Sequence, residues 1–302
     1  MNYEKVILTD VTGRDGFQME KEWINTTDKI NILNGIIASG VKRIEATSFV
    51  SPKAIPQLSD AKEVIKGLNR ALVDVIALIP NKKGAERAIE AGVDEVNVVV
   101  SVSETHNKKN INKTVAESIE VIGEIFELME AHGKQVNVGL ATTFGCPFEG
   151  LYAVDRVKAV INQIASRGVT RFMLADTTGM ANPMQVSDFV KQLQADFPVL
   201  DFSLHLHNTR GMGLANIVAG YEAGIRKFDG ALGGIGGCPF APGATGNVSL
   251  EDVVHMFKMM QIPVDPEVDR LIGTARSLEK LLGYKLPGQV MNAGLATNTI
   301  KS

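Results

Sequence analysis

The stretch Ala38-Ser39-Gly40-Val41-Lys42-Arg43-Ile44-Glu45-Ala46-Thr47 closes an amphipathic segment on a glycine and passes at once into a β-branched run. The move recurs at Ala91-Gly92-Val93 and at Arg167-Gly168-Val169. A helix that stops on glycine and turns directly into a strand is the αβ connection of a parallel sheet. Short apolar runs place strands over 6–10, 41–47, 72–78, 95–101, 135–141, 171–176, 201–207 and 227–232. Helical periods fill 27–39, 83–91, 114–131, 153–167, 184–195 and 213–223, and several end on glycine, as at Gly133 and Gly224. Eight strands with helices between them predict an α/β protein of the (β/α)8 TIM-barrel class. An open doubly wound sheet is the competing arrangement, and eight such units weigh against it. Residues 250–284 read as one or two further helices covering one end of the barrel. The prediction is therefore a single domain over 1–302, with a helical extension from about 250 to 302.

The 302 residues are 45% hydrophobic and 22% charged, which suits a protein with a sizeable buried core. A net charge of −3 gives no basic field for nucleic acid or an anionic membrane. No run of 18 apolar residues appears, and MNYEKVILTD lacks the apolar stretch of a secretory leader. Two cysteines far apart, Cys146 and Cys238, read as free thiols. The expected location is the cytoplasm. Neither nucleic acid nor membrane is an expected partner.

In this fold, catalytic groups gather where strands end and the following loops begin. Those ends carry Arg14-Asp15 after strand 1, Glu45 on strand 2, Asp176-Thr177 after strand 6 and His205-Leu206-His207 on strand 7. After strand 8 comes the glycine-rich stretch Gly233–Asn247. His205 and His207 are two apart on a strand, so both imidazoles face one side. A hydrogen-bonded core pair is the plainer reading of a His-x-His. Oxygens from Asp15 and Asn247 would complete a divalent-metal site, for Mg2+ or Mn2+ foremost and Co2+ or Zn2+ as alternatives. Arg14 would aim a fixed cationic fork at an oxyanion. The loop around Cys238 reads as a lid with a candidate acid or base at its tip. Cys146 reads as packing, as do Met256, Met259, Met260 and Met291, and Trp23 as a cap on the first loop. The polar segment 103–114 reads as a solvated loop whose Lys108 and Lys109 suit the phosphates of a ligand.

The strings GRDGFQMEK, IEATSFVSPKAIPQ, SETHNKKNIN, FGCPFEG, DTTGMANP, LHLHNTRGMGLAN and GGIGGCPFAPGATGN span nearly the whole chain. Through them it resembles the 3-hydroxy-3-methylglutaryl-CoA lyases. The resemblance implies metal-dependent cleavage of a carbon–carbon bond, giving acetyl-CoA and acetoacetate. It implies metal ligands at Asp15, His205, His207 and Asn247, and catalytic roles for Arg14, Glu45, His205, Cys238 and Glu251. It implies acyl-CoA contacts at Gln18, Ser48, Asn110, Gly139, Met173, Asp176 and Thr177. A homodimer or higher homo-oligomer also follows from it. The chain departs from the family pattern at Asp10, Thr12, Gly13, Phe17 and Asn208. It departs also at Gly139, where an aromatic is common, and at Met173, where a small polar residue is common. A missing ring at 139 would open space for a longer substituent. A lyase acting on citramalyl-CoA or on a longer branched glutaryl-CoA is the nearest alternative. A Claisen-type synthase and a non-catalytic barrel scaffold stand further off.

Overall fold

The computed structural model describes residues 3–237 and 246–297. Among them, eight parallel strands close into a barrel in chain order. They are β1 Ile7–Asp10, β2 Arg43–Ser48, β3 Asp74–Leu78, β4 Glu95–Ser101, β5 Gln135–Ala141, β6 Arg171–Asp176, β7 Asp201–Leu206 and β8 Lys227–Gly230. Helix α1 (Thr26–Ala38) follows β1, α2 (Ala61–Gly67) follows β2 and α3 (Lys82–Glu90) follows β3. Helices α4 (Glu104–Ile111) and α5 (Val115–Ala131) follow β4. Then come α6 (Val154–Ala165), α7 (Pro183–Asp196), α8 (Gly213–Glu222) and α9 (Leu250–Met259), one after each remaining strand.

The sequence pattern explains these elements. In β4, Val96, Val98 and Val100 are buried toward the helix layer, while Glu95, Asn97 and Val99 alternate onto the barrel interior. Helix α6 buries Val157, Val160, Ile161 and Ile164, the spacing of one helical stripe. Each such side chain contributes roughly 1.5–3 kcal/mol, so a charge at Ile161 would detach the helix. The chain leaves α6 through Gly168 at φ 96°, where a Cβ would stand 2.6 Å from the Phe126 ring. Left-handed backbone and lack of space both require glycine there.

Three expectations are corrected. The segment 103–114 is no solvated loop, because it carries α4. Ser103 caps that helix, His106 and Asn107 are buried, and Asn107 donates to the carbonyls of Lys113 and Thr114. Its two buried positions are the polar His106 and Asn107, which hides the helix from a hydrophobic-period reading. The C-terminal helices do not cover an end of the barrel. Helix α9 takes the eighth position of the helix ring, and α10 (Val268–Leu282) runs along α1. This segment starts where Glu267 N–H donates to Ser39 and reaches the other end where Gly288 N–H donates to Gly233, just before α11 (Gln289–Ala293). Finally, Met259 is exposed rather than packed. Trp23 is half exposed as well, with the Lys29 ammonium 4.0 Å above its ring.

The barrel interior is layered. At the end where strands begin, Glu95 pairs with Arg43 at 2.8 Å and Arg171 at 2.7 Å, and Lys227 pairs with Asp201. Above lie Asn97, Asn137 and Asp229, around a cavity of about 30 Å³, room for one water. The site occupies the opposite mouth. Among the described residues, no helix is long and apolar enough to cross a membrane.

Candidate active site

The loop after β1 is a single π-helical turn, Thr12–Gly16. The amides of Arg14, Asp15 and Gly16 all converge on the Val11 carbonyl. Gly13 lies directly against β2, where a Cβ would stand 2.4 Å from the Ala46 carbonyl oxygen. Asp10 braces the turn by accepting from the Thr12 amide and hydroxyl, and the Thr12 hydroxyl accepts from Leu232 N–H at 2.8 Å. The departures at Asp10, Thr12 and Gly13 therefore knit the ends of β1, β2 and β8 together.

This packing buries Arg14 and Asp15 at the mouth. Arg14 donates from Nε to Glu45 Oε2 at 2.5 Å and from Nη1 to Asp15. Glu45 is fully buried, and its other oxygen accepts from Asn97 Nδ2 at 2.7 Å. Burial pushes the Glu45 carboxyl up, against the pull of Arg14 and Asn97. Burial would discharge Arg14, but the Glu45 and Asp15 carboxylates outweigh it and hold the guanidinium charged. For Asp15, burial is outweighed by Arg14, His207 and His205, so its carboxyl sits well below the usual range.

His205 and His207 project from the end of β7 into the same region. Their Nε2 atoms are 3.1 Å apart, and Asp15 Oδ2 lies 3.5 Å from His207 Nε2 and 4.0 Å from His205 Nε2. Asp229, from β8, accepts at 3.1 Å from His205 Nδ1. Burial lowers the affinity of His205 for a proton, but the Asp229 hydrogen bond and charge outweigh it and raise its pKa. With Nδ1 so engaged, Nε2 is the atom of His205 turned toward His207 and Asp15. Among the described residues, the Nδ1 of His207 is buried with no partner. Two imidazole nitrogens and a carboxylate oxygen, all within 4.8 Å of one another, form a donor set that fits a divalent cation. Were an ion held there, Asp229 would be the carboxylate that orients its histidine ligand. Asn247 enters the cluster from 232 residues away, donating from Nδ2 to Asp15 Oδ2 at 2.7 Å and to the Ile235 carbonyl. In this geometry it presents nitrogen, not oxygen, to Asp15.

A cavity of about 430 Å³ opens above the cluster, within the usual size of small-molecule sites. Arg14, Asp15, Gln18, Asn110, Gly139, Met173, Thr177, His205 and His207 line it. Gln18 donates to Asp15 at 2.9 Å. Other sequence-derived residues do not reach it. Asp176 lies under the turn after β6, where its carboxylate accepts from the Met180 and Ala181 amides. Ser48 is buried without lining the cavity. Glu251, at the start of α9, accepts from Gly233 N–H with both oxygens and supports the β8 loop from behind. Burial raises its pKa to about 7, against the Gly233 amide. Cys238 lies outside the described residues, and Cys146 is fully buried beside Ser103. Sequence reading missed Asp229 and His106, a single acid and a single histidine in ordinary elements. His106 lines the cavity, with Nδ1 2.6 Å from Ser101 Oγ.

A buried cationic fork beside an Asp-His-His cluster, at the mouth of a (β/α)8 barrel, defines a candidate metal-dependent enzyme. A family model described as HMGL-like matches residues 5–277, and the chain belongs to that family. The hydroxymethylglutaryl-CoA lyase YngG of Bacillus subtilis is 41% identical over 287 residues, covering 95% of this chain and 96% of that one. The (R)-citramalyl-CoA lyase of Chloroflexus aurantiacus is 38% identical, covering 96% and 95%. A solved HMG-CoA lyase from Acinetobacter baumannii, in complex with coenzyme A and 3-methylmalate, superposes with a TM-score of 0.94. It is 45% identical, covering 99% of this chain and 98% of that one.

Proposed function

We propose that the chain is a carbon–carbon lyase that cleaves 3-hydroxy-3-methylglutaryl-CoA to acetyl-CoA and acetoacetate. One observation carries the reading: Arg14 stands buried and charged beside the Asp15–His205–His207 cluster, on the wall of one cavity. Asp15, His205 and His207 would hold a divalent ion, Mg2+ or Mn2+ by the family resemblance. That ion would acidify the substrate's tertiary hydroxyl as a Lewis acid. Arg14 binds the thioester oxygen and stabilises the negative charge that grows there as the bond breaks. Of the two candidate bases, His205 is the one in the cavity. Glu45 is out of reach, with its oxygens taken by Arg14 and Asn97. In the ion-loaded site the Nε2 lone pair of His205 would be taken by the ion, with Asp229 on Nδ1 orienting the ring. Only a His205 released from the ion would accept the hydroxyl proton, at that same Nε2, with Asp229 stabilising the imidazolium. Ion ligation and proton uptake therefore compete at that atom. Cys238, by resemblance, delivers the proton that completes acetyl-CoA.

Asn110 lines the cavity and Lys108 and Lys109 are exposed on the same helix, a set that suits the CoA moiety. A cytoplasmic homodimer belongs to the same reading, and sedimentation velocity tests the dimer. The deciding experiment is cleavage of a panel of 3-hydroxyacyl-CoAs with Mg2+ or Mn2+ present. Acetyl-CoA released fastest from the methylglutaryl thioester is the expected result. Faster release from citramalyl-CoA would reassign the substrate, and release from none would overturn the lyase reading.

A further inference from the structure

Asn97 sits inside the barrel on β4, is 3% exposed and does not line the substrate cavity. Its Nδ2 donates at 2.7 Å to Glu45 Oε1, and its Oδ1 accepts at 3.0 Å from Asn137 Nδ2. The two contacts fix which way the amide faces. Turned over, it would oppose oxygen to the Glu45 carboxylate and nitrogen to the Asn137 amino group, and both contacts would become repulsive. Glu45 is thereby held at each oxygen, by Asn97 on one side and Arg14 Nε on the other. Arg14 has spent Nε on Glu45 and one bond of Nη1 on Asp15. Its remaining N–H groups can face the cavity only while Glu45 keeps its orientation. The relay Asn137–Asn97–Glu45–Arg14 thus runs from the middle of the barrel to its mouth.

We infer that Asn97 is a positioning residue for the reaction, aiming Arg14 through Glu45 without touching substrate. A buried carboxylate that loses one of its hydrogen bonds becomes free to turn and harder to keep ionised. Outer partners of this kind typically carry about ten- to a hundredfold of activity. The inference deepens the lyase reading and rests on it for its kinetic part, but its structural part is independent.

Two measurements test it. By NMR, the Arg14 Nε–H resonance, assigned by its loss in Arg14→Gln, should shift and broaden in Asn97→Leu. An unchanged resonance overturns the inference whatever reaction the protein performs. In turnover assays, Asn97→Leu should lower kcat about ten- to a hundredfold with KM changed less than about twofold. In an Arg14→Gln background the same substitution should cost less than about twofold, because its route of action is already removed. Equal losses in both backgrounds would mean that Asn97 merely supports the barrel, and would overturn the inference. If Asn97→Leu does not fold, Asn137→Leu leaves Asn97 in place but removes one of the two contacts that fix its amide. It should reproduce both effects at smaller size, and its failure to do so overturns the relay equally. Inactive wild-type enzyme with an intact resonance response would instead reject the lyase reading alone.

Discussion

The terminal methyl of Met173 lies where a side chain at Gly139 would begin, 2.9 Å from the position of a Cβ. Val99 closes the same notch from the other side, at 3.2 Å. Gly139 lines the cavity, but much of the space that glycine leaves on β5 is filled by an unbranched thioether from the neighbouring strand. This corrects the expectation that a missing ring at 139 enlarges the pocket. Trimming the filler should enlarge it. Met173→Ala is expected to raise kcat/KM for acyl-CoAs with longer 3-substituents, relative to the methyl substrate, by about tenfold or more. Gly139→Phe should displace Met173 into the cavity and depress turnover of every substrate. A panel of acyl-CoAs with an acetyl-CoA readout checks both, and an unchanged preference in Met173→Ala would remove this pair from the specificity wall.

Arg14 is charged and buried, and its cationic group is preorganised. Its contribution should appear mainly where charge develops. Arg14→Gln is expected to lower kcat roughly a hundred- to a thousandfold, with a much smaller change in KM. Steady-state kinetics decide it, and near-normal turnover would exclude Arg14 from the chemistry.

The donor set Asp15, His205 and His207 predicts stoichiometric binding of Mn2+ or Mg2+ in calorimetry. At about a hundredfold excess over Kd, the ion should stabilise the fold by about 2.7 kcal/mol, seen as a rise in Tm. His207→Ala and Asp15→Ala should each abolish both responses. Chelation of the wild type should abolish turnover, and added ion should restore it. An ion-independent lyase would contradict this prediction.

Glu251 titrates near 7 in the folded protein, above the usual glutamate value of 4.5. The folded state therefore takes up a proton that the unfolded chain releases. Stability from this group is full below about 4.5, falls as pH rises and levels off above about 7. At most, the change is on the order of 3 kcal/mol. Glu251→Gln should flatten that part of the curve. Denaturation midpoints of the two proteins at pH 5 and pH 8 test it, and parallel curves would refute it.

The strands were legible because their β-branched runs are bounded by glycine turns. The rim cluster was legible because Arg14-Asp15 and His205-x-His207 fall at strand ends. What escaped is polar chemistry inside apolar elements. Asn97 in EVNVVVS and Asp229 in KFDGAL look like minor interruptions of strands, and only barrel closure shows what they face. Helix α4 escaped because its buried side chains include His106 and Asn107 rather than leucines. The Met173–Gly139 contact joins residues 34 apart through strand register, which no local pattern encodes. Asp176 and Glu251 stand beside catalytic segments in sequence, yet each turns to the backbone behind the site.

The ion-paired layer of Glu95, Arg43 and Arg171, with Lys227 and Asp201 beside it, stops the barrel at the end away from the site. The interior is thus a blind well rather than a tunnel. Substrate and both products share one doorway, so traffic through it is sequential. Whichever fragment lies deeper must wait for the other to clear, and the order of product departure is a property of the barrel's closed end as much as of its rim.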